Sequence, residues 1–247
     1  MRNLAQPLLS IVTVTKNCVG SLDKTLSSVS AIKTIGIEYI IVDGASTDGT
    51  VELIKDCGNL VDKFISEPDL GIYNAMNKSI DMASGRYIIF INGDDVILPE
   101  GFSVAYEVLK ESKNEVIAAV TTAVSVDGQA IGLAARPWHL YFFNSVPHPS
   151  TFVSATTLRK YRFREDFRIA ADYDLFLRLF LDGKKFHRID PIIALHDRGG
   201  TSSDSSLSMR EMDQIRRENL GFFRYTLTNY IWAIYRYLKS FCKSMQR

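Results

Sequence analysis

A continuous apolar run that stops at two adjacent carboxylates sets the tightest limit on what this chain can become. Residues 87–95 read Y-I-I-F-I-N-G-D-D. Five apolar residues in succession after Arg86 show no alternation of wet and dry faces. That fits a strand covered on both sides, as in a parallel sheet with helices above and below. Asn92 and Gly93 break the run, and Asp94 and Asp95 stand where the strand leaves the core. In open α/β sheets, ligands gather beyond the carboxyl ends of the strands. Adjacent carboxylates there repel until a cation or hydrogen-bond donors neutralise them, and Mg2+ and Mn2+ prefer such oxygen ligands. The competing reading is a surface turn, because Asn, Gly and Asp are common turn formers.

The preceding residues supply the rest of such a sheet. Residues 8–15 (L-L-S-I-V-T-V-T) form a β-branched strand ending at Lys16-Asn17. Gly20-Ser21 then opens a helix with Leu22, Leu26 and Val29 on one face. Residues 37–42 are a second strand ending at Asp43. The turn cluster G-A-S-T-D-G-T follows, in which Thr47 or Asp48 can cap a helix over residues 50–57. Two strand-turn-helix units in a row imply right-handed crossovers and a parallel sheet. Asp43 then lies at the same sheet edge as Asp94 and Asp95. A short strand over 63–66 leads into E-P-D-L-G-I-Y-N-A-M-N-K-S-I-D-M-A-S-G. There Ile72, Ala75, Met76, Ile80 and Ala83 recur at helical spacing, with Gly85 as the C-cap. Asn74, Asn77, Lys78 and Asp81 fall away from that apolar stripe. The helix start at Asp69–Tyr73 can face an anionic or polar ligand, and a solvated helix face is the plainer alternative.

The second half reads as a mixed sheet. Pro99 starts a helix through Ser112, and strands 116–126 and 129–133 join at Asp127-Gly128, a two-residue hairpin signal. P-H-P-S-T-F-V (147–153) is a constrained entry into another strand. A helix over 171–181 turns Leu175, Phe176, Leu179 and Phe180 inward and ends at Gly183. Asp172 and Asp174 sit in its first turn, where the helix dipole favours acids whether or not they do chemistry. A strand over 186–195 precedes H-D-R-G-G-T-S-S-D-S-S, a polar loop long enough to act as a lid. From Asn219 onward, Phe222, Phe223, Tyr225, Tyr230, Trp232, Tyr235, Tyr237 and Phe241 alternate with Arg224, Arg236, Lys239, Lys243 and Arg247, with no acid among them. This reads as an amphipathic helix for an anionic lipid surface, against the alternative of a helix packed on the core or on a partner subunit.

Composition narrows the class. At 247 residues, 46% hydrophobic and 23% charged, the chain suits one large α/β domain. A net charge of +1 speaks against nucleic acid as a partner. Cys18, Cys57 and Cys242 are scattered, forming neither a disulfide framework nor a zinc pattern, which suits a reducing cytoplasm. Residues 1–7 are short and polar, so no leader peptide is expected, and no apolar run of spanning length occurs.

Taken in order, S-I-V-T-V-T-K-N, I-V-D-G-A-S-T-D-G-T, S-E-P-D-L-G-I-Y-N-A-M-N-K, F-I-N-G-D-D and A-A-D-Y-D-L-F-L-R-L resemble the motif set of family 2 glycosyltransferases over about residues 8–200. The resemblance is greatest to the subgroup that builds bacterial O antigen and colanic acid. It implies a GT-A fold: a mixed, mainly parallel sheet with helices on both faces over residues 1–205. The nucleotide-binding half would cover about 8–100 and the acceptor half about 101–205, with a basic aromatic helical tail over 206–247. It further implies that Thr13, Asn17, Asp43, Ser46 and Asp48 embrace the nucleotide, Asp43 accepting from the uracil N–H or a ribose hydroxyl. Asp69, Asn77 and Lys78 would flank the nucleotide and the donor sugar. One or both of Asp94 and Asp95 would hold Mn2+ or Mg2+ at the pyrophosphate, and Asn92 stands where the family's first Asp is usual. Asp172 matches the base of an inverting displacement, and Asp174, about 200° further round the helix, points elsewhere.

The implied donor is a UDP-sugar, with UDP-galactose placed ahead of UDP-glucose. The implied acceptor is a lipid-linked sugar such as GlcNAc-pyrophosphoryl-undecaprenol, met by a cytoplasmic protein peripheral on the inner membrane. His148 and His196 lie in the acceptor half, where a lone histidine is more often a core residue, although His196 could add a metal ligand. His139 and His187 carry no functional signal. Competing readings are a nucleotidyltransferase, which would show a richer Gly and Lys loop after the first strand, and a non-catalytic protein of the same fold. A dinucleotide dehydrogenase is disfavoured, since no G-x-G-x-x-G follows a strand.

Overall fold

The computed structural model describes residues 6–34, 36–124, 130–197 and 205–245. The N-terminal half runs β1 (Leu9–Thr15), α1 (Val19–Ile32), β2 (Ile37–Asp43), α2 (Thr50–Asp56), β3 (Lys63–Ser66), α3 (Ile72–Met82) and β4 (Tyr87–Phe90). After a short β5 (Val96–Ile97) come α4 (Pro99–Glu111), β6 (Val116–Val124), β7 (Ala130–Ala134), β8 (Thr151–Ser154), α5 (Ala155–Tyr161), α6 (Ala171–Leu181), β9 (Phe186–Asp197) and α7 (Ser205–Met245). The described strands form one mixed sheet in the order β3-β2-β1-β4-β8-β6-β9-β5, with β7 paired to β6. β3, β2, β1 and β4 are mutually parallel, whereas β8 runs antiparallel to both β4 and β6. The expected α/β architecture is therefore present. The Asp127-Gly128 hairpin turn and most of the expected lid lie outside the described residues.

Alternation along the parallel strands divides two cores. Leu9 and Ile11 of β1 pack with Leu22, Leu26 and Val29 of α1 and Phe102 of α4, while Val12 and Val14 face Met76 and Ile80 of α3 on the other side. A strand with an apolar residue at every position is what a sheet sandwiched between helices requires. Every residue of β1, β2 and β4 is buried. The carboxyl ends of β1, β2 and β4 therefore open together along one edge, which is where the turns after Thr15, Asp43 and Ile91 gather.

Three local expectations change. α3 stops at Met82 with Ala83 extended, so Gly85 is not its cap. Instead Gly85 lies against the backbone of Ser10, where a Cβ would collide. Asn77 is 6% exposed rather than on a solvated face. The C-terminal region does not begin as a separate tail, since Ile215 and Leu220 of α7 belong to the same core as α3 and α6. The break falls at Gly221, whose φ of 67° and ψ of 164° interrupt the helix.

A buried carboxylate ties the start of this sheet together. Glu38, 6% exposed, pairs with Lys63 at 2.7 Å and accepts from the Ser10 hydroxyl and the Ser84 N–H. Burial alone would raise its pKa, but Lys63, Ser10 and Ser84 outweigh that and hold it at about 2 against the ordinary 4.5. A depressed carboxylate contributes stability that is complete above its unfolded value and is lost as pH falls through its folded one. Glu38→Gln should therefore cost on the order of 2 kcal/mol in urea unfolding near neutral pH. The gap from wild type should close as pH falls from 4.5 towards 2.

Candidate active site

Two turns stitched to one another build one wall. Asn17 and Ala45 hold φ values of 49° and 59°, the left-handed region that non-glycine residues rarely adopt. Cross-bonds hold them there: Asn17 N–H donates to the Ser46 hydroxyl (2.8 Å) and Thr47 N–H to the Asn17 side-chain oxygen (2.9 Å). Asp48 accepts from Val19 N–H (3.1 Å) and Thr50 N–H (3.0 Å), so it serves the first turns of both α1 and α2. Beneath them Asp43 is fully buried, accepting from the Thr15 hydroxyl, the Ser66 hydroxyl, and the N–H and hydroxyl of Ser46. Burial raises its pKa, yet these donors prevail and hold it below the ordinary carboxylate value.

Two of the residues expected at the nucleotide are fully buried. Asp43 shapes the wall from behind, because its oxygens are engaged within the protein and its side chain meets no solvent. Thr13 is also fully buried, taking the Tyr39 hydroxyl at 3.0 Å under the sheet face that α1 covers.

In front of the wall lies a cavity of about 890 Å3, lined in part by Lys16, Asn17, Asp69, Asn92, Asp94 and Glu165. Asp69 accepts from Gly71 N–H at 3.0 Å and lies 3.7 Å from the Lys16 ammonium. Its carboxylate packs where a Cβ on Gly44 would stand, so a side chain at position 44 would displace Asp69. Asn77 and Lys78 do not line this cavity. The Asn77 amide bonds Phe163 N–H (3.0 Å), Phe163 C=O (2.9 Å) and Glu165 (2.7 Å), holding the Glu165 loop. Lys78 pairs with Glu67 at 2.7 Å and donates to the Pro68 carbonyl. In this structure both side chains hold the loops that line the cavity.

Asp94 and Asp95 part company at the end of β4. Asp94 is partly exposed on the cavity wall. Asp95 is fully buried, and its carboxylate takes Asn92 N–H at 2.9 Å and lies 2.7 Å from His196 Nδ1. Of the two carboxylates, one or both of which were expected at a metal, Asp94 faces the cavity and Asp95 braces the turn and His196 from behind. Among the described residues no group of three or more His, Cys, Asp or Glu could hold an ion alone. A single accessible carboxylate still fits Mg2+ or Mn2+, which take one or two carboxylates together with substrate phosphates and water.

A second cavity, about 620 Å3, shares Ile72, Tyr73, Asn92, Ile169 and His196 with the first. Asp172 lines it, held by the Asn144 amide (2.8 Å) and Tyr173 N–H (2.8 Å). The Tyr73 hydroxyl donates to the Ile169 carbonyl at 2.6 Å and lies 3.4 Å from Asp172. Burial, followed by the charge of Asp172, pushes the Tyr73 phenol well up, so it stays a neutral donor. Asp174 turns away into the core, pairing with Arg178 at 2.7 Å, as the helical spacing implied. Sequence reading missed Glu211, a buried carboxylate of α7 that accepts the consecutive N–H groups of Arg168, Ile169 and Ala170 at 2.8–2.9 Å. It sits some forty positions away from the loop it holds, and no local pattern marked it.

The geometry matches known proteins. The family described as glycosyl transferase family 2 matches residues 10–174. An uncharacterized glycosyltransferase of Mycobacterium tuberculosis is 30% identical over 196 residues, which cover 71% of this chain and 70% of that one. The chondroitin synthase of Pasteurella multocida is 26% identical across 91% of this chain, which spans 24% of that longer protein. In fold, S. aureus TarS 1–349 in complex with UDP-GlcNAc superposes with a TM-score of 0.68 at 17% identity, covering 86% of this chain and 71% of that one. A mannosyltransferase of Pyrobaculum calidifontis, in complex with GDP-Man and Mn2+, gives 0.61 at 14% identity, covering 87% of this chain and 62% of that one. The chain belongs to glycosyl transferase family 2, has the GT-A fold and is a transferase.

The split between the two carboxylates predicts different failures. Asp94→Asn should lower Mn2+-stimulated donor hydrolysis by about 100-fold. Asp95→Asn should leave the Mn2+ concentration dependence within about threefold while lowering stability by about 1–3 kcal/mol, as a buried hydrogen-bonded charge is lost. Mn2+ titrations and urea unfolding of both variants measure this, and equal loss of Mn2+ dependence would contradict the geometry.

Proposed function

We propose that this protein is an inverting, metal-dependent hexosyltransferase of surface polysaccharide assembly. It takes the hexose of a UDP-sugar, UDP-galactose ahead of UDP-glucose. It passes that hexose to a lipid-linked sugar such as GlcNAc-pyrophosphoryl-undecaprenol. The observation that carries the reading is the pair of joined cavities, with Asp94 at the end of β4 on the wall of the first and Asp172 on the wall of the second. The TarS neighbour, whose complex holds UDP-GlcNAc, supports a uridine donor in the first cavity.

The chemistry needs one acid-base group and one site of charge stabilisation. In the second cavity an acceptor hydroxyl gives its proton to an oxygen of Asp172 as its own oxygen bonds to the anomeric carbon. The bond from that carbon to the diphosphate oxygen breaks, and its electron pair leaves with UDP. Mn2+ or Mg2+ held at Asp94 would stabilise the charge gathering on the diphosphate. Lys16, on the same wall, adds a positive charge beside Asp69. Glu211 and Tyr73 hold the 168–170 backbone from opposite sides, one through its N–H groups and one through its carbonyl, so Asp172 begins its helix from a fixed base.

Past Gly221, Phe222, Phe223, Leu227, Tyr230 and Ile231 are exposed on a stretch that carries no acid from Asn219 onward. Such a face suits the boundary of an anionic membrane, where a lipid-linked acceptor is found. Among the described residues no helix is long and apolar enough to cross a membrane.

The test supplies UDP-galactose, UDP-glucose and UDP-GlcNAc with Mn2+ and GlcNAc-pyrophosphoryl-lipid in anionic vesicles. Hexose transfer is expected, with the protein co-sedimenting with the vesicles. Asp172→Asn should keep donor binding and lose transfer by about 1,000-fold. Near-normal transfer by that variant would remove Asp172 as the base, and a protein left in the supernatant would remove the membrane role.

A further inference from the structure

Asn92 ends β4 at the place where the two cavities meet, and it lines both. Its side-chain nitrogen lies 3.2 Å from Nε2 of His148, and its side-chain oxygen is the buried polar side-chain atom without a partner among the described residues. His148 opens a short 3-10 turn (His148–Ser150) and is flanked by Pro147 and Pro149, which restrict its backbone. The other ring nitrogen, Nδ1, is 3.7 Å from an oxygen of Asp172.

An amide nitrogen has only hydrogens to offer. Facing Nε2, it makes that nitrogen the acceptor, so a neutral imidazole must carry its proton on Nδ1. The Nδ1–H is thereby aimed at the Asp172 carboxylate, at a separation that can tighten once the cavity closes on substrate. The Asn144 amide already holds the same oxygen of Asp172. Together the two donors orient the carboxylate. An aspartate at position 92 would reverse this arrangement, because a carboxylate accepts and would draw the proton to Nε2. The unpartnered Asn92 oxygen, at the junction of the cavities, is left to accept from a hydroxyl of the bound sugar.

We propose that His148 is a positioning residue for Asp172, held in its Nδ1–H tautomer by Asn92, so that the string Asn92–His148–Asp172 joins the donor cavity to the base. The proposal rests on Asp172 being the base, and the experiment separates the two. In the full chain labelled with 15N-histidine, the His148 signal should show Nδ1 protonated and Nε2 unprotonated. Asn92→Asp should move the proton to Nε2. His148→Gln should lower kcat about 10–100-fold, the usual effect of losing a support for a reacting group, with donor KM within about threefold. The double variant His148→Gln/Asp172→Asn should transfer no more slowly than Asp172→Asn alone, because the two act as one unit.

A wild-type ring protonated on Nε2, an unchanged kcat in His148→Gln, or additive losses in the double variant would each overturn the proposal. If His148→Gln keeps its kcat while Asp172→Asn is inactive, this inference falls and the base stands. If Asp172→Asn keeps transfer, the base itself falls and the inference with it. Should His148→Gln fail to fold, the tautomer in wild type and in Asn92→Asp decides.

Discussion

Asp43 holds its charge where no water reaches it, and four donors from three segments of chain take the place of that water. A buried carboxylate left unsatisfied costs several kcal/mol, so the donors cannot separate cheaply. Thr15 ends β1, Ser66 ends β3, and Ser46 lies in the turn after β2. Their convergence on one residue fixes three strand ends in a single arrangement. It also holds the left-handed backbone at Ala45 and, through Ser46, at Asn17. The cavity in front inherits its shape from this constraint. Asp69 can approach because Gly44 presents no side chain, and Lys16 is left facing open space.

The second cavity uses the same device in another form. Glu211 is a buried carboxylate whose partners are three consecutive backbone N–H groups, and those groups belong to the loop that leads into Asp172. The first part of α7 is consequently part of the folded body, with Ile215 and Leu220 in the core. Only beyond Gly221 does the helix show a run of exposed aromatics. In the proposed function, the two parts of α7, joined at Gly221, link the loop that leads into Asp172 to the membrane that carries the acceptor. Trp232, on the outer part of that helix, stacks against Phe142 and Phe143 beside the second cavity.

Much of the fold was legible because buried parallel strands leave an unmistakable trace. Residues 9–15, 37–43 and 87–90 are apolar or β-branched runs closed by turn formers, and each is a strand. Asn17, Asp69, Asp94 and Asp172, which the motif resemblance marked, do line the cavities. Depth was not legible. Thr13, Asp43 and Asp95 are polar residues at the right edge of the sheet, but periodicity does not tell a side chain that faces a cavity from one that braces it. Asn77 fell on the polar side of the α3 stripe and still became buried, because the loop around Phe163 covers it. Glu211 and Asn144 act on partners distant in sequence, and only the folded chain brings them there.

In the proposed function one stereochemical claim is central: Asp172 takes the acceptor's proton from the side of the sugar opposite the diphosphate, in a single displacement. The anomeric configuration of the product tests that claim directly. Proton NMR of the transferred hexose, formed from an α-linked UDP-sugar and read before any isomerisation, should show a β linkage. An α linkage would contradict the two-cavity mechanism, since retention requires attack from the face that UDP leaves or a second displacement for which no group has been assigned.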